Sequence, residues 1–247
     1  MLAVFANLEC LRVLDASRVV RQWNLNGSGS AALAAWLEER RLAHELPGVN
    51  LKTRAAARLV LAPALRDLPY PDHRLAILED FSDASTRNDL EALLGDAKSG
   101  SGLLFHLGHA RALAAISPHS FGADPFLKKA VLALQMTAYN AAARGIDASC
   151  RLPIPADYQI PRILHWVGAI RISDKFQEQL RNQALLDATI PEVMALRAAA
   201  AVLCADIAAL ARTEDRIVDG VLFTHYRALP EFKATSLPAM RCASMWF

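Results

Sequence analysis

The chain has 247 residues, 53% of them apolar, and a formal net charge of +2. That length suits one large domain or two small ones, with a sizeable buried core, and the mild charge, without like-charge runs or a basic tail, does not by itself argue for a nucleic-acid binder. Alanine is abundant and aromatic residues make up only 7%, which favours closely packed helices over a sheet.

Helix signals begin at the first residue. Positions 1–22 and 30–46 are apolar at helical spacing, separated by the loop NLNGSGS, and a third helix over 51–67 ends at the turn DLPYPD. Glu9 and Arg12 interrupt the apolar start, so it reads as a first helix and not as a signal peptide. Shorter helices are expected near 72–80 and 87–96. The loop KSGSG (98–102) follows, and then a helix near 103–116. No run alternates like a strand, and nothing repeats. One domain over 1–247 is expected, with an N-terminal helical half (1–97) and a second half (103–247).

The second half is sharply punctuated. Asp124-Pro125 sets a capping residue before a proline at the start of a helix that runs to Gly145. Pro153, Pro155 and Pro161 bracket an extended segment, and Pro161 opens the next helix. Ser173 caps a helix over 174–186, and Thr189 with Glu192 forms a capping box. The long helix after it carries Val193, Leu196, Ala200, Leu203, Ile207 and Leu210 as a core stripe. Arg197 and Asp206 in its most apolar stretch, 193–211, argue against a membrane span.

Few residues stand out as chemistry. Lys128 lies on the first turn of its helix and shares a face with Gln135 and Tyr139. There it can meet an anion or a carboxylate, or simply be solvated. Asp157 sits in the proline-bracketed segment just before a helix, a place for a presented carboxylate or for a capping one. Arg197, beside an apolar stripe, suits a partly buried pair with a carboxylate or a phosphate. Histidines are scattered, without HExxH or HxH. There is no P-loop, GxGxxG or GxSxG pattern, so neither a metal nor a cofactor is expected. Cys10, Cys150, Cys204 and Cys242 lie far apart and are expected as free thiols in the cytoplasm. Trp166, Phe223, Tyr226, Trp246 and Phe247 suit either core packing or stacking on a flat base.

Five segments occur in the order and spacing of the motifs of one family: PFLKKAVLAL (125–134), ADYQIPRILHWVGAI (156–170), EVMALRAAAAV (192–202), VDGVLF (218–223) and MRCASMWF (240–247). Over the stretch from Asp124 to Arg197 the chain resembles the queuosine salvage proteins. The resemblance implies an all-α, compact multi-helix fold similar to helical DNA glycosylases. It also implies metal-independent hydrolysis of queuosine 5′-phosphate to queuine and ribose 5-phosphate. The family's motif lysine and aspartate correspond to Lys128 and Asp157. Tyr158, Lys129, Arg162 and Arg197 become substrate-binding candidates, the two arginines for the phosphate. The chain departs from the family in being shorter at the N-terminus, in Lys129 where the motif has arginine, in Val131 for a glutamine and in Ala195 for an acid.

The implied chemistry is coherent. Cleaving an N-glycosidic bond develops oxocarbenium character on the ribose, which a carboxylate can stabilise while it positions water. A nearby ammonium keeps that carboxylate ionised. The expected partner is a small nucleotide or nucleoside. Two other functions fit the same fold: a glycosylase-like protein acting on or binding a modified base in DNA or RNA, and a non-enzymatic helical scaffold. A scaffold predicts Lys128 and Asp157 far apart or in bulk solvent; an enzyme predicts them together in a cleft.

Overall fold

A computed structural model describes residues 62, 71–82 and 84–242 of the chain. The helices expected at 1–22, 30–46 and 51–67 lie outside the described residues, apart from a helical Ala62. From residue 71 the fold is mostly α, as composition predicts. Helix α1 spans Pro71–Ser82, with proline at its first position, and α2 spans Ala84–Asp96.

The stretch expected as one helix over 103–116 divides. β1 (Lys98–Ser99) and β2 (Gly102–His106) form a hairpin, with Gly100 at φ +60 in its turn, and the helix, α3, starts only at Leu107 and ends at Ile116. β3 (Ala148–Arg151) joins β2 in parallel, completing a three-stranded sheet. The boundary comes from two histidines. The His106 ring accepts the Gly108 N–H at 3.1 Å, and the His109 ring accepts the His106 N–H at 3.1 Å. Histidine is outside the usual Ser/Thr/Asp/Asn capping set, so the sequence gives no start signal here. Gly102 is required by the strand partner. A Cβ there would come 2.4 Å from the Asp147 carbonyl oxygen. Gly102→Ala should therefore cost about 1–3 kcal/mol in chemical denaturation, the range for overpacking.

A π-helical turn over Pro118–Gly122 leads to α4, Lys128–Ala142, and Gly145 at φ +78 ends that region as expected. α5 spans Gln159–Trp166, and Ser173 caps α6, Asp174–Arg181. α6 stops five residues earlier than its periodicity suggests. Gln183 turns to φ 52, and β4 (Leu185–Leu186) pairs in parallel with β5 (Arg241–Cys242), which buries Leu186.

α7 spans Pro191–Ala211 without the expected capping box. Thr189 instead donates its N–H and hydroxyl to Asp187 Oδ1, at 2.8 and 2.7 Å. The buried stripe also turns from the expected line. After Ala200 it follows Cys204 and Ala208, while Leu203 is partly buried and Ile207 and Leu210 are exposed. α7 is long and apolar enough to cross a membrane. Its buried face nevertheless packs on α5 and on α8 (Asp215–Thr224), and together these form one core cluster with Ile160, Ile163, Val218 and Phe232 of α9 (Pro230–Thr235). A second cluster, with Ile77, Phe105, Leu113, Val131 and Leu134, lies among α1–α4 and the sheet. The N-terminal end of α4 and the segment from β3 to α5 join the two.

Candidate active site

The end of α4 is fixed by a buried ion pair. Arg197 of α7 is 0% exposed and Asp124 is 5% exposed. The guanidinium grips both carboxylate oxygens, Nη1 to Oδ1 at 2.8 Å and Nη2 to Oδ2 at 2.7 Å. Its Nε donates to the Ala156 carbonyl at 2.9 Å, and its face lies 4.4 Å from the centre of the Phe126 ring. Asp124 caps as expected but in a different geometry. Its oxygens accept the Phe126 and Lys128 N–H groups at 3.1 and 2.9 Å, and α4 begins at Lys128 with Leu127 left-handed at φ 52, so Pro125 precedes the helix proper. Farther along α4, the Gln135 amide donates to the Pro153 carbonyl at 3.3 Å and steadies the proline-bracketed segment.

Asp157 emerges from that segment partly buried. It is a cap on one oxygen only. Oδ1 accepts the Gln159 N–H at 2.7 Å and the Ile160 N–H at 3.4 Å, while Oδ2 accepts no hydrogen bond among the described residues. The α5 backbone thus aims the side chain and leaves one oxygen for chemistry. Lys128 is also partly buried, and its ammonium forms no ion pair among the described residues. Neither side chain is in bulk solvent.

A third group joins them, one that sequence reasoning left without a role. Asp219 of α8 has its carboxyl pushed up to about 7, first by burial and then by the negative charge of Asp157, against the opposing positive charge of Lys128. One carboxyl thus feels an aspartate and a lysine from two other elements. Asp219 lies in VDGVLF, one of the segments that carries the family resemblance. Nothing local marks it, because its pKa depends on partners far away in the chain. One turn before it on α8, Arg216 lies over the Tyr139 ring of α4, 5.1 Å from its centre, and pairs with Glu214. Tyr139, about three turns along α4 from Lys128, is 46% exposed, with Arg216 over its ring.

The other candidates lie elsewhere. Arg197 gives its fork to Asp124 and its Nε to Ala156, so it stands behind the site as a support. Arg162 donates from Nη1 to Gln159, from Nη2 to the Ser236 hydroxyl and from Nε to the Leu237 carbonyl, and it stacks 4.8 Å from the centre of the Phe232 ring. These contacts tie α5 to the end of α9. Tyr158 is buried in the α5–α7–α8 core. Lys129 is buried on the side of α1, where its charge helps burial to lower the pKa of His73. Trp166 donates to Thr235 at 2.8 Å and meets Tyr226 and Phe232 edge-on, while Phe223 lies under Arg227, 4.7 Å from its ring centre. Trp246 and Phe247 lie outside the described residues, as does Cys10. Cys150 and Cys204 are free thiols, and all three of Cys150, Cys204 and Cys242 are buried. Burial pushes the Cys150 thiol up to about 11, and burial with Asp219 and Asp215 pushes that of Cys204 up to about 12, so neither supplies a thiolate at neutral pH.

The order of these elements along the chain, from α4 to β5, is that of the motifs read in the sequence. Residues 137–247 match the family model described as queuosine salvage protein. The resemblance to the queuosine salvage proteins holds over that span. No curated protein gives a match. The matched span contains Asp157, Tyr158, Arg162, Arg197 and Asp219; Lys128 and Lys129 precede it. Lys128 is linked to the matched span through Asp124 and Arg197 and through its charge at Asp219.

Proposed function

We propose that the protein is an N-glycosidase that hydrolyses the base–ribose bond of a 7-deazaguanine nucleotide or nucleoside, queuosine 5′-phosphate being the expected substrate. The observation that carries this reading is that the Asp219 carboxyl, raised to about 7 by burial, feels the charges of Asp157 and Lys128 from two other elements. Two carboxyls near enough for one to feel the other's charge are the equipment for acid–base cleavage of a glycosidic bond.

Asp157, whose Oδ2 accepts no hydrogen bond among the described residues, acts as the base: it stabilises the positive charge that develops on the ribose and takes a proton from the attacking water. Asp219, protonated, gives its proton to the departing base. Water's oxygen forms the new bond to the ribose carbon as the bond to the base nitrogen breaks. The proton gained by Asp157 then restores Asp219. Lys128, whose charge reaches the Asp219 carboxyl, offers a positive charge to an anionic substrate.

Incubating the purified protein with queuosine 5′-phosphate, and separately with queuosine, should release queuine, detected by liquid chromatography and mass. Release should persist in a chelator. Absence of release from every 7-deazaguanine nucleoside, nucleotide and modified RNA tested would overturn the proposal.

A further inference from the structure

The Asp124–Arg197 pair does more than fill the core. Each Asp124 oxygen serves two masters: Oδ1 takes the Phe126 N–H and Arg197 Nη1, and Oδ2 takes the Lys128 N–H and Arg197 Nη2. A third bond of Arg197, from Nε, ends on the carbonyl of Ala156, the residue before Asp157. A continuous chain of short, charge-assisted bonds therefore runs from the Lys128 amide through Asp124 and Arg197 to the peptide unit that carries Asp157. The guanidinium is planar and rigid, and Phe126 covers its face. Leu127, left-handed with φ 52 and ψ 30, is a conformation that a β-carbon disfavours, and it stands immediately before Lys128, whose amide Asp124 holds. A non-glycine residue keeps such a backbone where its surroundings over-determine it.

We propose that Asp124 and Arg197 form a positioning clamp that sets the relative placement of Lys128 and Asp157 for base–ribose cleavage. This deepens the glycosidase reading and rests on it. The two residues touch no substrate. They act by fixing two backbone segments from different parts of the chain, at a spot where a displacement of about 1 Å is enough to cost a large factor in rate.

The test compares Arg197→Lys with wild type. Lysine keeps the charge but cannot make the fork and the Nε bond together. Three quantities are read: melting temperature, kcat and KM for base release, and titration of the Asp219 carboxyl by carbon-13 NMR. That carboxyl reports the placement of the Asp157 and Lys128 charges whether or not the protein turns over substrate. Arg197→Lys should lower kcat about 10- to 100-fold, in the range expected for misplaced groups. KM should stay within about threefold, and the Asp219 titration should move by about half a pH unit or more. Leu113→Ala, in the other core cluster, supplies a destabilised control that should lower the melting temperature and leave the remaining quantities at wild-type values. If Arg197→Lys does not fold, Phe126→Leu removes only the cover of the guanidinium and should move kcat and the titration in the same sense by less. A variant that melts earlier yet keeps wild-type kcat and Asp219 titration would reduce the clamp to a structural ion pair. If wild type itself releases no base, the glycosidase reading fails, while the titration still decides whether the clamp sets the charge placement.

Discussion

Asp219→Asn is expected to lose base release by about 10²- to 10⁴-fold, the usual contribution of a positioned acid, and yet to outlast wild type in thermal unfolding above neutral pH. An aspartate in the unfolded chain ionises near pH 4, whereas Asp219 in the fold keeps its proton up to about 7. Between those values the folded state binds the extra proton, so this residue's contribution to stability declines as pH rises through the window and stays low above it. Asparagine removes the declining contribution. Because Asp219 is only partly buried, a gain of about 1 kcal/mol at pH 8–9 is the expectation, discounted for solvent screening. The gain should vanish only below about pH 3, where the carboxyl is protonated in the folded and the unfolded chain alike. The neighbours move the same titration in opposite directions. Asp157→Asn removes a negative charge and should lower the Asp219 pKa, while Lys128→Met removes a positive one and should raise it. Carbon-13 titration of the three variants, alongside pH–rate profiles wherever activity persists, checks the signs. An Asp219 carboxyl that titrates near pH 4 in wild type would remove it from the role of acid.

The parts of this arrangement that sequence reveals are those written in local chemistry. Ser173 before Asp174 and Gly145 after α4 act where their residue types predict, because capping and left-handed turns depend on one or two side chains. Asp157 was legible for the same reason: prolines on both sides and a helix ahead of it announce a held carboxylate. What escaped was decided at long range. β2 takes its strand from pairing with β3, more than forty residues away, against an apolar pattern that also suits a helix. Leu185 and Leu186 leave α6 for the same kind of partner at Arg241 and Cys242. At the site, both arginines proposed for a phosphate are spent on carbonyls, a hydroxyl and a carboxylate that only the tertiary fold brings to them. Asp219 is the converse case, an ordinary helical aspartate until burial and Asp157 raise its pKa.

Removing the acid of the buried pair should harm the fold more than removing the base. Asp124→Ala leaves the Arg197 guanidinium, at 0% exposure, without its counter-charge, and it strips the Phe126 and Lys128 amides of their acceptor. Breaking a buried pair in this way costs about 3–5 kcal/mol, and the lost cap adds about 1 kcal/mol. Arg197→Met is milder. Asp124 keeps two backbone donors, can take a proton if its charge becomes too costly, and methionine refills much of the apolar volume beside Phe126. The Asp124→Ala/Arg197→Met double variant no longer contains an orphaned charge, so it should be more stable than Asp124→Ala alone, although it carries one more substitution. Urea unfolding of the three proteins gives the coupling energy directly. Against a total stability of about 5–15 kcal/mol for a domain, Asp124→Ala can leave little folded protein, and recovery of folding in the double variant would then be visible without any fitting. Losses that simply add would mean that the carboxylate and guanidinium do not depend on each other, and the chain of bonds from Lys128 to Ala156 would carry no energetic coupling.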